Sequence, residues 1–136
     1  MMTTEQINIR DPFVLVENGF YYLYGTRGPT CWEKADGFDV YRSRDLKEWE
    51  GPFVCFRNDG SFWADRNYWA PEVHRWRGAF YMFASFKSES RRRGTAILRA
   101  ESPFGPFQPW SDGPVTPENW ECLDGTFYAS PKGVPY

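Results

Sequence analysis

Short apolar runs, each closed by a turn signal, follow one another along the chain in a repeated order. Phe13-Val14-Leu15-Val16 leads into Asn18-Gly19 and then Phe20-Tyr21-Tyr22-Leu23-Tyr24, a pattern that predicts two strands joined by a tight hairpin. A third strand is expected from Phe38 to Ser43, followed by a polar stretch from Arg44 to Trp49 and the turn signal Gly51-Pro52. The same layout returns as Glu72 to Trp76, a turn at Arg77-Gly78, Phe80 to Ala84, a charged loop, and Thr95 to Ala100, closed by Pro103-Phe104-Gly105-Pro106. An offset of 59 residues maps Pro12 onto Pro71, Val14 onto Val73, Gly19 onto Gly78, Tyr22 onto Tyr81 and Leu23 onto Met82. A third, incomplete copy starts with a strand-like run from Leu123 to Tyr128 and turns near Lys132-Gly133.

Repeated units of short antiparallel strands at this spacing predict an all-β architecture of propeller blades. Blade 1 is expected over about 8–57, blade 2 over about 67–115 and the start of blade 3 over about 120–136, roughly two and a half blades of four-stranded sheet. Composition agrees: 27 of 136 residues are aromatic and 23 are Gly or Pro, a mix that favours strands and tight turns over helices. So few blades cannot close a ring, so the sequence reads as a truncated parent or an assembling fragment, with self-association expected through the open sheet edges.

Charge removes several functions. Sixteen basic and 18 acidic side chains leave a formal charge of −2, with no basic footprint for nucleic acid or an anionic membrane. No apolar run approaches the roughly 20 residues of a membrane-spanning helix. The opening Met-Met-Thr-Thr-Glu-Gln lacks a basic region followed by an apolar one, so a cytoplasmic location is expected. Cys31, Cys55 and Cys122 fit neither a metal knuckle nor a full disulfide framework and read as reduced thiols. His74 is the single histidine, which leaves no material for a Ser-His-Asp triad or a multi-histidine metal site; a hydrogen-bonded structural role is expected for it. Arg91-Arg92-Arg93 reads as a solvated loop.

The starts of the repeats are where chemistry can gather, because the innermost strands of a propeller line its axis. They read Arg10-Asp11-Pro12, Trp69-Ala70-Pro71-Glu72 and Leu123-Asp124-Gly125, each with an acidic residue at or within two positions of the equivalent point. With a side-chain period of two, Asp11 and the counterparts Ala70 and Glu72 are expected on one face. Carboxylates from separate blades would then share a pocket and perturb one another, the division into base and acid that glycoside hydrolysis needs. From spacing alone, Asp11 and Asp124 read first as turn formers, and Glu72 reads equally as the partner of an arginine such as Arg10 or Arg99. Among Trp63, Tyr68, Phe13 and Trp69, only Trp69, beside the repeated strand start, is singled out to stack on a sugar; the others are expected in interblade cores.

Taken in order, the segments Ile9 to Val14, Gly37 to Trp49, Trp69-Ala70-Pro71-Glu72-Val73, Ala100 to Phe107 and Leu123-Asp124-Gly125 resemble the amino-terminal half of a glycoside hydrolase family 43 enzyme, across essentially the whole chain. The resemblance implies a partial five-bladed β-propeller and inverting hydrolysis of arabinose- or xylose-containing glycans. It matches Asp11 to the general base and Asp124 to the aspartate that orients the general acid and modulates its pKa. Trp69 and Glu72 fall in the motif that borders the sugar. The family supplies its general acid from the fourth blade, so this chain alone is expected to be inactive. No cofactor is expected, an axial calcium ion of the kind some relatives carry belonging to the complete ring. The implied partner is an oligo- or polysaccharide. A non-catalytic carbohydrate-binding or interaction segment is the alternative from another class, and a fructan hydrolase or glycoside phosphorylase the alternative among propeller enzymes.

Overall fold

The computed structural model describes residues 1–136. The chain is all-β apart from two single 3-10 turns at Thr4–Gln6 and Gly28–Thr30. No helix is long and apolar enough to cross a membrane. Nine strands follow in chain order: β1 (Met2–Thr3), β2 (Ile9–Glu17), β3 (Phe20–Arg27), β4 (Gly37–Ser43), β5 (Glu48–Arg57), β6 (Arg66–Trp76), β7 (Ala79–Lys87), β8 (Gly94–Ala100) and β9 (Gln108–Pro109). They form two antiparallel sheets, ordered β1-β5-β4-β3-β2 and β6-β7-β8-β9, with β2 and β6 as the inner edges.

The 59-residue repeat holds pair for pair. Phe13 faces Tyr24, Val14 faces Leu23 and Glu17 faces Phe20 in the first hairpin; Glu72 faces Phe83, Val73 faces Met82 and Trp76 faces Ala79 in the second. Each hairpin turns through two residues at positive φ, Asn18-Gly19 and Arg77-Gly78, the conformation that matches the right-handed twist of the flanking strands.

Three details depart from the sequence reading. The end of the polar stretch, Glu48 and Trp49, opens β5, which runs on through the turn signal Gly51-Pro52 and pairs with β4. The amino terminus adds β1 to the outer edge of β5, where Trp49 packs with Leu23 and Tyr41 and donates its indole N–H to Thr4 Oγ1 at 3.0 Å. The run from Leu123 to Tyr128 forms no strand. It is held instead by the Phe127 side chain, which stacks on Phe83, and by two backbone hydrogen bonds that Tyr128 exchanges with Tyr136.

One core joins the sheets. Tyr24, Phe38 and Val40 of the first and Val73, Met82, Phe86 and Leu98 of the second are fully enclosed in it. Phe86 meets Phe62 and Tyr68 edge to face, both with centroids 4.9 Å apart, and Phe38 at 5.8 Å. Tyr24 passes through this core to donate its hydroxyl to the Pro103 carbonyl beyond β8. Of the aromatic residues considered for sugar stacking, Tyr68 is buried in this core, and Phe13 and Trp63 pack against it.

Candidate active site

The inner strands begin with a shared distortion. The β2–β3 register shifts between Arg10 and Phe13, and the β6–β7 register shifts between Trp69 and Glu72. Inside these bulges Asp11 has φ 51° and Ala70, 59 residues later, has φ 47°; Asp124, at the third repeat start, has φ 57°. Left-handed backbone is uncommon outside glycine and tolerated best by Asp and Asn, so something must hold it in place.

Buried hydroxyls supply the hold. Thr26, at the end of β3, accepts the Ala70 N–H at 2.9 Å and donates its own proton to Asp11 Oδ2 at 2.8 Å. Ser85, again 59 residues later and at the end of β7, accepts the Asp124 N–H at 2.8 Å. Each hydroxyl thus fixes the left-handed residue of the next repeat. Thr95 Oγ1 accepts the Gly125 N–H at 3.2 Å; a Cβ on Gly125 would come within 2.5 Å of the Thr95 side chain, so this close approach requires glycine.

These contacts bring Asp11 and Asp124, from separate repeats, to the wall of one open hollow of about 160 Å³. Thr26 and Trp69 line it as well, as do Arg10, Cys31, Trp32 and Leu123. Asp11 and Asp124 are the only carboxylates among these side chains. Partial burial, and then the nearby charges of Asp11 and Glu72, push the Asp124 carboxyl above the usual range.

Glu72 is not part of the wall. Its Oε2 accepts from Thr126 Oγ1 at 2.7 Å and from His74 Nε2 at 3.0 Å, and neither arginine considered for it is its partner. Arg10 reaches Cys31 Sγ at 3.6 Å and lies over Trp32, while Arg99 pairs with Glu101 at 2.6 Å. Because a bulge separates Ala70 from Glu72, simple alternation does not carry the face of Asp11 through to Glu72. His74 packs against Phe13 and Phe127, a structural setting. All three cysteines are free thiols.

The sequence reading did not find Thr26, Ser85, Trp32 or Arg93 in this neighbourhood. The basic run is not uniformly solvated: Arg91 and Arg92 are exposed, but the Arg93 guanidinium lies 4.0 Å from the centre of the Trp69 ring and donates to Asn67 Oδ1 at 3.1 Å. Nowhere do three or more His, Cys, Asp or Glu side chains converge as a metal cage.

The model of glycosyl hydrolases family 43 matches residues 5–136. The chain belongs to that family. An extracellular exo-α-(1→5)-L-arabinofuranosidase of Cellvibrio japonicus is 25% identical over 145 residues, covering 95% of this chain and 39% of the relative. The endo-arabinase of Bacteroides thetaiotaomicron superposes with a TM-score of 0.88 at 34% identity, over 98% of this chain and 45% of that one. A thermostable family-43 glycoside hydrolase gives 0.79 at 28%, over 94% and 40%. The chain therefore spans less than half the length of each relative, and its two sheets are a partial family-43 propeller.

Proposed function

We propose that the chain supplies the base side of a glycosidase site that cleaves arabinose- or xylose-containing glycans by inversion, within a five-bladed ring. The observation that carries this reading is the convergence of Asp11 and Asp124 on one solvent-open hollow beside Trp69. In the proposed reaction Asp11 takes a proton from the water that attacks the anomeric carbon. Thr26, donating to Asp11 Oδ2, holds that carboxylate in one orientation and leaves Oδ1 for the water. A general acid on the opposite face of the sugar protonates the departing oxygen, across a carboxyl separation of about 6.5–9.5 Å. Asp124 orients that acid and keeps it protonated, since a nearby negative charge raises a carboxyl pKa. The relatives' activities support an arabinan substrate first: one is an endo-arabinase and another an exo-arabinofuranosidase. A xylan substrate is the second choice, supported by a 28% identical endo-1,4-β-xylanase of Bacteroides thetaiotaomicron.

With Asp11 and Asp124 assigned, no carboxylate on the hollow remains to act as acid. The 136-residue chain is therefore expected to release no aryl alcohol from aryl arabinosides or xylosides at enzyme-like rates. In a ring completed by the remaining blades, Asp11→Asn is expected to lower kcat by about 10²–10⁴-fold while arabinotriose still binds. Turnover by the isolated chain, or an unchanged kcat in the Asp11→Asn ring, contradicts the assignment. A ring that binds arabinotriose without any turnover supports a carbohydrate-binding role instead.

A further inference from the structure

At about 160 Å³ the hollow is smaller than the ~300–1,000 Å³ of a typical ligand pocket and open to solvent, so a glycan of several rings extends past its rim. Its two tryptophans are in different situations. Trp69 is engaged on several sides: Arg93 covers one face at 4.0 Å, Trp32 meets it edge to face at 5.1 Å and 80°, and its indole N–H donates to the Cys31 carbonyl. Trp32 is 70% exposed on the rim of the same hollow. Its backbone is nevertheless held. The 3-10 turn at Gly28–Thr30 closes with the Cys31 N–H on the Gly28 carbonyl, the Glu33 N–H reaches the Thr30 carbonyl at 3.1 Å, and the Arg10 guanidinium lies 5.8 Å over the indole.

We infer that Trp32, rather than Trp69, is the stacking platform of this site, and that it takes the sugar ring next to the one held between Asp11 and Asp124. This rests on the glycan reading above. The electron-rich face of an indole meets the partly positive C–H face of a furanose or pyranose, and an aromatic fixed in advance loses little entropy on binding. Trp69 then serves as a rigid wall, stiffened by Arg93. The platform has no counterpart in the second repeat, where position 91 is arginine, so it serves one side of the site only. A glycan is thus recognised over at least two consecutive rings.

The test is calorimetric titration of the protein with arabinose, α-1,5-arabinobiose and xylobiose, in the wild type and in Trp32→Ala and Trp32→Tyr. The wild type is expected to bind one of the disaccharides about tenfold more tightly than arabinose. Trp32→Ala is expected to weaken disaccharide binding more than arabinose binding and so to remove that gap, and Trp32→Tyr to keep most of it; an unchanged urea midpoint shows that the variants are folded. A gap that survives Trp32→Ala overturns the proposal and leaves the glycan reading standing. A wild type that binds none of the three sugars also overturns the proposal, while the glycan reading is decided separately by turnover in the completed ring.

Discussion

Two hydroxyls do much to set the position of the acidic pair. Thr26 is 1% exposed and Ser85 fully buried, and each accepts the N–H of a left-handed residue in the following repeat. Thr26→Val keeps the shape of the side chain but leaves the Ala70 N–H without its acceptor and Asp11 without its donor. Urea unfolding is expected to show a loss of about 1–3 kcal/mol. If Thr26→Val is as stable as the wild type, the hydroxyl does not hold the bulge. The recurrence of acidic residues at the repeat starts drew attention to Asp11 and Asp124, but spacing alone read them as turn formers, and only the family resemblance gave them roles. Thr26 and Ser85 were not legible, although they obey the same 59-residue offset: a hydroxyl at a strand end carries no chemical signal until its partner is known. Glu72 lies off the hollow for a geometric reason, since alternation does not survive the bulge between Trp69 and Glu72. Trp32 left no trace in the repeat pattern because it lies in a loop without a counterpart.

Strands were the most legible elements, and the β2–β3 and β6–β7 hairpins carry the clearest signal, an Asn-Gly and an Arg-Gly turn between aromatic-rich runs. Their common register follows from the repeat. The outer strands were harder to read. β5 starts in a charged stretch, and β1 and β9 have two residues each, too few for a period to register. The third repeat shows the limit of pattern alone: Leu123 to Tyr128 looks like a strand, but a strand needs a ladder partner, and here Phe127 and Thr126 anchor the segment through side chains. What joins the two sheets is aromatic packing around Phe86. Phe86→Ala is expected to cost about 3–5 kcal/mol in chemical denaturation, with both sheets lost in a single transition. Two separate transitions would mean that the sheets fold independently and that the shared core does not couple them.

At the scale of the whole molecule, the near-neutral charge and the propeller repeat narrowed the function classes, and the family match places the chain among the glycosyl hydrolases of family 43. The functional proposal depends on something no single repeat contains, namely that residues 113 positions apart act on one sugar. Their proximity has an electrostatic signature. A negative Asp11 is one of the causes that raise the Asp124 carboxyl, after partial burial and ahead of Glu72. Removing that charge must therefore lower the Asp124 titration midpoint, because the ionised form of Asp124 loses a repulsive neighbour. The most direct test follows the Asp124 side-chain carboxyl by carbon NMR across a pH titration, in the wild type and in Asp11→Asn. The account predicts a wild-type midpoint above about 3.9, the ordinary aspartate value, and a lower midpoint in the variant. A midpoint that Asp11→Asn does not move would mean that the two aspartates do not share a site.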